Sequence, residues 1–167
     1  MRTWPRMSVK ALGLVVIAVA SKAAFGECAT EQTAKPSASR YVVKGGVVYD
    51  KKTDLTWMRC SQGQRWGEDI GCIGIAAKFT HAQANSGWSN GWRMPTVDEL
   101  KTIVAKHCKD PAIDEEIFPD TPSEWYHTST KNGSVCWGVN FRVADSSYYV
   151  YLSCDFGSHV RLVRGGQ

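Results

Sequence analysis

Hydrophobic and polar residues alternate in the last third of the chain. Val135, Trp137, Val139, Phe141 and Val143 occupy every second position, and smaller or polar residues fill the positions between them. Successive side chains of a strand point to opposite faces, so this pattern predicts a half-buried β-strand with its aromatic and branched residues inward.

The same reasoning predicts short strands elsewhere. Two β segments flank the glycine pair at 45–46, and a third follows a polar turn at 51–54. The predicted strands are 41–44, 47–50, 55–60, 148–152 and 159–163. The segment from Ser61 to Ile75 holds four glycines. It is predicted to be a loop that a disulfide of Cys72 joins to the strand before it.

A helix of about ten residues is predicted to begin at Thr96. Thr96 and Glu99 form a capping box, in which each side chain binds the backbone N–H of the other residue. Apolar residues then recur at helical spacing, at positions 97, 100, 103 and 104. Thr80 and Gln83 form a second box that opens a shorter helix ending near Asn85. Strands, two helices and further strands, with an irregular connection at 110–122, indicate an α+β domain.

The first twenty-six residues are typical of a cleaved secretory signal. A basic segment precedes the apolar run from Ala11 to Ala20, and Ala24-Phe25-Gly26 supplies small residues for cleavage, with Ala18-Val19-Ala20 as an alternative site. The run is too short to cross a bilayer. Residues 27–40 are predicted to be a flexible lead-in and 41–167 a single domain.

Export changes the interpretation of charge. The net charge of +4 comes from 20 basic and 16 acidic residues, and residues 1–26 contain four basic residues and no acid. Cleavage after Gly26 leaves 16 of each sign. The mature chain therefore lacks the net basicity typical of a nucleic-acid-binding protein, and no nucleic-acid partner is predicted.

All six cysteines lie in the predicted mature chain. An even number in an exported protein favours disulfides, with fifteen possible pairings. Proximity in sequence favours Cys60 with Cys72 and Cys136 with Cys154, which leaves Cys28 with Cys108. The absence of a C-x-x-C unit argues against a zinc ribbon or a thioredoxin-type site.

The remaining candidate residues favour structural interpretations. The four histidines and the acidic run at 114–116 lack partners at ligand or catalytic spacing. No metal site, cofactor or catalytic residue is therefore predicted. Four tryptophans are assigned to the core: Trp57, Trp92, Trp125 and Trp137.

Several segments together resemble the Lcl C-terminal domain family, first catalogued as a bacterial domain of unknown function and named after part of a collagen-like adhesin. They cover nearly all of residues 41–167 in order. The similar segments are Gly46 to Cys60, Gly91 to Lys101, Ile113-Asp114, Ile117 to Pro122, Trp125 to Thr130, Trp137 to Phe141, and Val160 to Gly166.

The resemblance implies a C-type-lectin-like fold of short antiparallel strands and two helices in an exported bacterial or phage protein. In the namesake it implies surface adhesion and glycosaminoglycan binding. This chain lacks the namesake's Gly-x-y repeat and the Glu-Pro-Asn or Gln-Pro-Asp triplets of calcium-dependent lectins. We therefore expect neither collagen-driven trimers nor calcium-mediated sugar binding, and the sequence leaves the oligomeric state open.

The entry to the second helix, Arg93-Met94-Pro95-Thr96, is also similar to that of formylglycine-generating and sulfatase-modifying enzymes. Those enzymes depend on a closely spaced C-terminal cysteine pair, whereas Cys136 and Cys154 lie far apart within a strand-turn-strand pattern. The chain is therefore expected not to be an enzyme of this kind.

Tyrosine and serine are abundant between Arg142 and His159, as in antibody contact surfaces. If Val150 and Leu152 point to the core, Tyr149 and Tyr151 face solvent. The predicted ligand contacts are Arg142, Tyr149, Tyr151, Phe156 and His159, although ordinary strand tyrosines remain an alternative.

The sequence thus predicts a secreted or periplasmic binding module, with association with the cell surface as an alternative. Its expected partner is a glycan or an envelope protein, as for an adhesin. Two alternatives remain: an enzyme related to the formylglycine-generating group, and a component of pilus or envelope assembly.

Overall fold

A computed structural model describes residues 27–28, 39–144 and 149–166. The predicted signal peptide and most of the lead-in lie outside these residues. Within them, the chain forms mostly antiparallel strands, two small helices and three disulfides. None of the helices in this part of the chain is long and apolar enough to span a bilayer.

The elements are short, and they follow one another in this order along the chain. The strands are β1 Glu27–Cys28, β2 Tyr41–Lys44, β3 Val47–Asp50, β4 Leu55–Met58, β5 Arg65–Gly67, β6 Gly71–Ile73, β7 Cys108–Lys109, β8 Trp125–Asn132, β9 Val135–Asn140, β10 Tyr149–Ser153 and β11 Val163–Gly165. The helices, α1 His81–Ala84 and α2 Val97–Lys101, lie between β6 and β7.

A four-stranded sheet joins the two ends of the domain. Its order is β11-β4-β3-β2, so the last strand pairs with a strand near the start, with Val163 opposite Trp57. The predicted glycine turn connects β2 to β3, and Gly45 adopts a φ of 54°, which glycine allows at little cost. This pairing closes the domain.

A three-stranded sheet of order β10-β9-β8 carries the C-terminal aromatic residues. Tyr126 on β8, Val139 on β9 and Tyr149 on β10 lie opposite one another on the same face. Helix α2 packs there, and the backbone N–H of Val97 donates to Thr130 Oγ1 at 3.0 Å. The helix therefore lies against β8 and β9 and leaves β10 at the open edge of the described sheet.

The main hydrophobic core lies between the two sheets and α2. It contains Val48, Leu55, Trp57, Leu100, Ile103, Ile113, Ile117, Phe118, Tyr126, Val139, Phe141 and Val163. A smaller cluster of Ala84, Met94, Val160 and Leu162 is flanked by Trp88 and Trp92. Of the four tryptophans predicted to be core residues, Trp57 is fully buried and the others are half-buried.

Arginine side chains connect the loops around the core. Arg161 is fully buried and donates to the carbonyls of Met58 and Arg59 and to Thr121 Oγ1 at 2.7 Å. Arg59 donates to the carbonyls of Gly45, Glu116 and Ile117, at 2.8–3.1 Å. These interactions satisfy backbone oxygens that no strand pairs with.

The predicted helix from Thr96 is wrong in length. Its capping box is present as predicted, but α2 ends at Lys101, after five residues. The N–H groups of the next three residues bind carbonyls three positions earlier, and Thr102 Oγ1 donates to the carbonyl of Glu99 at 2.6 Å. After one α-helical turn the hydrogen bonds thus change to the i→i+3 pattern of a 3₁₀ turn, while Leu100 and Ile103 stay buried.

The predicted loop from Ser61 to Ile75 contains a small hairpin. Strands β5 and β6 pair there, with Trp66 opposite Cys72. The disulfide from Cys60 to Cys72 joins this hairpin to the end of β4. Three-residue strands rich in glycine carry too little alternation to be recognised in sequence.

The predicted alternation from Val135 to Val143 is only partly correct. Strand β9 ends at Asn140, Val139 is buried as predicted, but Cys136 and Gly138 of the opposite parity are also buried, while Val135 and Val143 are exposed. Side chains cover both faces of the sheet near Gly138, and a Cβ there would meet the Leu152 side chain. The alternation of residues along β9 therefore does not distinguish a buried face from a solvent-exposed face.

The predicted strand at 159–163 begins only at Val163. The backbone of His159 pairs instead with β8: its N–H donates to the carbonyl of Trp125 and its carbonyl accepts from His127, both at 2.9 Å. The chain crosses from one sheet to the other between these points. Strand β10, by contrast, covers most of its predicted range.

Three disulfides join Cys28 to Cys108, Cys60 to Cys72 and Cys136 to Cys154. Proximity in sequence favours the second and third of these pairs, and the first is the pair that then remains. The first ties β1 to β7, and the third links β9 to the residue after β10. All six cysteines are consequently bonded.

We expect Thr96→Ala to lower the free energy of unfolding by about 1 kcal/mol, because the N–H of Glu99 loses the hydroxyl to which it donates at 3.2 Å. The melting temperature should fall by roughly 2–6 °C for a domain of this size. Thr96→Ser keeps the hydroxyl and should melt near the wild type. An equal loss of stability in both variants would show that the capping hydroxyl of Thr96 contributes nothing.

Candidate functional site

The five predicted ligand contacts do not form one surface. Tyr149 packs against the main core, while Tyr151 is 64% exposed. The prediction that Val150 and Leu152 point to the core and Tyr149 to solvent is therefore wrong. Tyr149 pairs with the buried Val139, and Val150 pairs with Gly138 on the opposite face, because register assigns the tyrosines to the core side of the sheet.

Three aromatic side chains lie together at the edge of this face, and we call Trp137, Tyr149 and Tyr151 the aromatic shelf. The ring centroids of Trp137 and Tyr151 are 4.2 Å apart at an interplanar angle of 53°. Those of Trp137 and Tyr149 are 6.1 Å apart and nearly parallel, at 24°. The rings hold one another in place, as aromatic pairs at these separations attract.

Helix α2 provides the charged flank of the shelf. Lys101 Nζ lies 4.2 Å from the centre of the Tyr149 ring, and 3.2 Å from Asp98 Oδ1. The capping box fixes the start of this helix, and its C-terminal turn brings the lysine over β10. The capping box thus helps to position Lys101 beside the shelf, although its own residues do not belong to the shelf.

The reverse face of the sheet is rigidly held behind the shelf. Cys136 is buried and bonded to Cys154, and Leu152 lies over Gly138, where a larger residue would collide with it. Strand β10 is therefore bound to β9 by backbone pairing, packing and a covalent bond. The shelf is built on a fixed scaffold.

The other three predicted contacts lie elsewhere. Arg142 is exposed beyond β9, with its Nε 3.6 Å from Asp110 Oδ1. Phe156 is 49% exposed in the turn after β10. His159 is buried, and its Nδ1 donates to the carbonyl of Ala77 at 3.1 Å. Arg142 and His159 thus contact residues that do not belong to the shelf.

Three buried histidines hold the loops behind the sheet. His127 Nε2 donates to the carbonyls of Phe79 and Phe156, at 2.9 and 3.0 Å, and His81 Nε2 donates to that of Thr128 at 3.1 Å. Burial lowers the pKa of His81, His127 and His159, and this outweighs the carbonyl contacts that raise it. The imidazoles are thus structural donors in their neutral form.

Charged neighbours modify these histidines unequally. Lys131 lowers the pKa of His81, and His81 that of His127. At His159, Glu124 raises the pKa and Lys78 lowers it, with His159 Nε2 3.9 Å from Glu124 Oε2. His127 Nδ1 and His159 Nε2 are both buried without a hydrogen-bond partner among the described residues, so neither ring has an acceptor for a second proton.

One group of possible metal ligands occurs among the described residues. Atoms of Cys28, His107 and Cys108 lie within 4.8 Å of one another. Both sulfurs belong to one disulfide, which removes the thiolates that a metal would need. The group is therefore explained by the disulfide and an adjacent exposed histidine.

Sequence reasoning missed two members of the site. Trp137 was assigned to the core, and Lys101 was placed in the predicted helix without a role in binding. The alternation that placed Trp137 and Val139 on one face was the available signal for the tryptophan. Lys101 could not be found, because its position over Tyr149 depends on how α2 packs on the sheet.

The family model described as the Lcl C-terminal domain matches residues 46–164. The chain belongs to this family. The matched span includes both larger sheets from β3 onward, both helices and the whole aromatic shelf. No curated protein and no solved structure is similar enough to match.

We expect the free energy of unfolding to fall as the pH drops below about 6.5, the ordinary pKa of histidine. Because burial lowers the pKa values in the folded state, the unfolded chain binds more protons, and this stability is lost as the pH falls through the folded values. Urea unfolding between pH 7.5 and about 5, above the range of most carboxylates, measures the effect.

His127→Gln should flatten this pH dependence, because the amide still donates a hydrogen bond but does not titrate. His107→Gln, at an exposed position, serves as the control and should follow the wild-type curve. A wild-type stability that stays constant over this range would contradict the assignment of buried neutral histidines.

Proposed function

We propose that the chain is an exported binding module that performs no chemistry and recognises a glycan or a protein at the bacterial envelope, as an adhesin does. We further propose that its domain is C-type-lectin-like, which the pairing of the last strand, β11, with β4 near the start of the domain supports. The observation that carries the proposed function is the aromatic shelf on its disulfide-bonded hairpin.

The exposure of Tyr151 supports a binding role. A side chain that is 64% exposed gains little from folding, yet the ring lies against Trp137 on a rigid scaffold. Tyrosine and tryptophan provide large contact area at a small cost in conformational entropy, which suits recognition surfaces. A preformed shelf also avoids the cost of ordering its side chains on binding.

The bonded cysteines support the proposal over the related-enzyme alternative. A thiol nucleophile requires a free thiolate, and each of the six cysteines is in a disulfide. The buried histidines bind backbone carbonyls, which occupies the N–H groups that acid–base chemistry would use. Oxidised cysteines and a predicted signal sequence support a secreted or periplasmic location.

We expect the exported protein to begin near Glu27 and to have an intact mass six hydrogens below that of its reduced form, because three disulfides remove them. Thiol titration of the native and the denatured protein tests the same point. A free thiol pair that appears in both would favour the enzyme related to the formylglycine-generating group.

Tyr151→Ser should abolish or strongly weaken ligand capture while leaving the melting temperature close to that of the wild type. The tyrosine is exposed, so its loss affects the surface more than the core. Binding is measured against glycan arrays and envelope-protein extracts. Tyr149 is unsuitable for this test because it packs on the core.

Tyr49→Ser is the matched control, since Tyr49 is a 38% exposed tyrosine on the other sheet. It should bind like the wild type. Capture that is equal for the wild type and both variants would remove the shelf from the proposed function. Capture of pilus or envelope-assembly proteins alone would favour the assembly alternative.

A further inference from the structure

We propose that the aromatic shelf binds the C–H face of an uncharged pyranose whose ring substituents are equatorial, as in a β-linked glucan. This inference rests on the proposed function and specifies its ligand. It concerns the open side of Tyr151, which forms the outer edge of the shelf.

The geometry of the rings fits a flat apolar ligand surface. The Tyr151 ring lies 4.2 Å from the Trp137 ring between centroids and is tilted by 53° to it, and Tyr151 is still 64% exposed, so most of its surface is open to solvent. An aromatic face carries partial negative charge. A pyranose with equatorial substituents presents axial hydrogens on both faces, and these complement such a ring by dispersion and weak C–H contacts.

The charges beside the shelf favour an uncharged ligand. The cation of the flank, Lys101, already lies 3.2 Å from Asp98 and over the Tyr149 ring. A sulfated or carboxylated sugar would gain from the lysine but would meet the neighbouring carboxylate, which is 86% exposed. The ammonium and carboxylate can instead bind hydroxyl groups, which accept and donate hydrogen bonds.

The size of the exposed surface favours a sugar over a protein epitope. A stable protein interface covers about 800 Å² on each partner and has an apolar centre. Among the described residues of this sheet face, the large apolar side chains that are exposed are Tyr151 and, at 37%, Val135. One open ring with a polar flank matches one or two sugar units.

The test is an NMR titration of the mature protein with cellotetraose as the uncharged probe and a heparin tetrasaccharide as the acidic probe. We expect cellotetraose to shift the Trp137 indole signal saturably at millimolar concentration. Tyr151→Ala should weaken binding by about tenfold or more, whereas Tyr151→Phe, which keeps the ring, should stay near the wild type. Added salt should have little effect on the affinity for cellotetraose, because the ligand is uncharged.

Three results would overturn the proposal: no saturable shift with cellotetraose, an unchanged affinity in Tyr151→Ala, or binding of heparin alone that salt and Lys101→Gln weaken. Failure here is distinguishable from failure of the proposed function. If an envelope protein is captured through Tyr151 while cellotetraose does not bind, the sugar proposal is wrong and the proposed binding module is retained. If neither ligand binds through Tyr151, the sugar proposal and the proposed function are both wrong.

Discussion

The guanidinium group of Arg161 lies in the centre of the domain, and the connections between its two larger sheets depend on it. Its partners among the described residues are neutral oxygens: the carbonyls of Met58 and Arg59 and the hydroxyls of Ser61 and Thr121. Hydrogen bonds to a charged group contribute about 1.5–3 kcal/mol each, and burial of the charge opposes them. Burial accordingly lowers the pKa of Arg161.

This arrangement explains why so many loops in a small domain keep one conformation. The carbonyls that Arg161 binds belong to the end of β4, where the chain leaves one sheet and enters the hairpin of β5 and β6. Ser61 also contacts the Tyr126 hydroxyl of the other sheet at 2.6 Å, and that ring lies 6.0 Å from the guanidinium. A single side chain therefore adds hydrogen bonds to the backbone pairing at the end of β4.

The segment from Gly91 to Lys101, which carries part of the family resemblance, supports the aromatic shelf but does not belong to it. Arg93 makes a two-point ion pair with Glu99, at 2.8 and 2.7 Å, and Glu99 also caps the helix. Burial acts to raise the pKa of Glu99, but its bonds to Arg93 and Thr96 outweigh this and lower it. The motif is thus occupied by structural bonds, and the surface proposed for recognition lies beside it, since a function depends on a site carried by a fold and not on the fold itself.

Signals within a few residues of one another were sufficient to predict much of the local structure. Both capping boxes, the glycine turn after β2 and strands β2 and β3 follow from neighbouring residues. Two cysteine pairs follow from proximity in sequence, and the third is the pair that remains. The strength of these signals is physical, because a cap or a tight turn satisfies its own backbone groups whatever surrounds it.

Other properties were decided by the tertiary structure. Alternation gave the spacing of Tyr149 and Tyr151 but not their face, since both sides of the β8–β9–β10 sheet are covered near Gly138 and register sets which side meets the core. The burial of His159, the early end of α2 and the position of Lys101 over Tyr149 likewise depend on packing between distant segments. The sequence determined which aromatic residues were available for the shelf, and the pairing of three strands with one helix decided which of them meet, because side-chain direction on a strand is fixed only once its neighbours are in place.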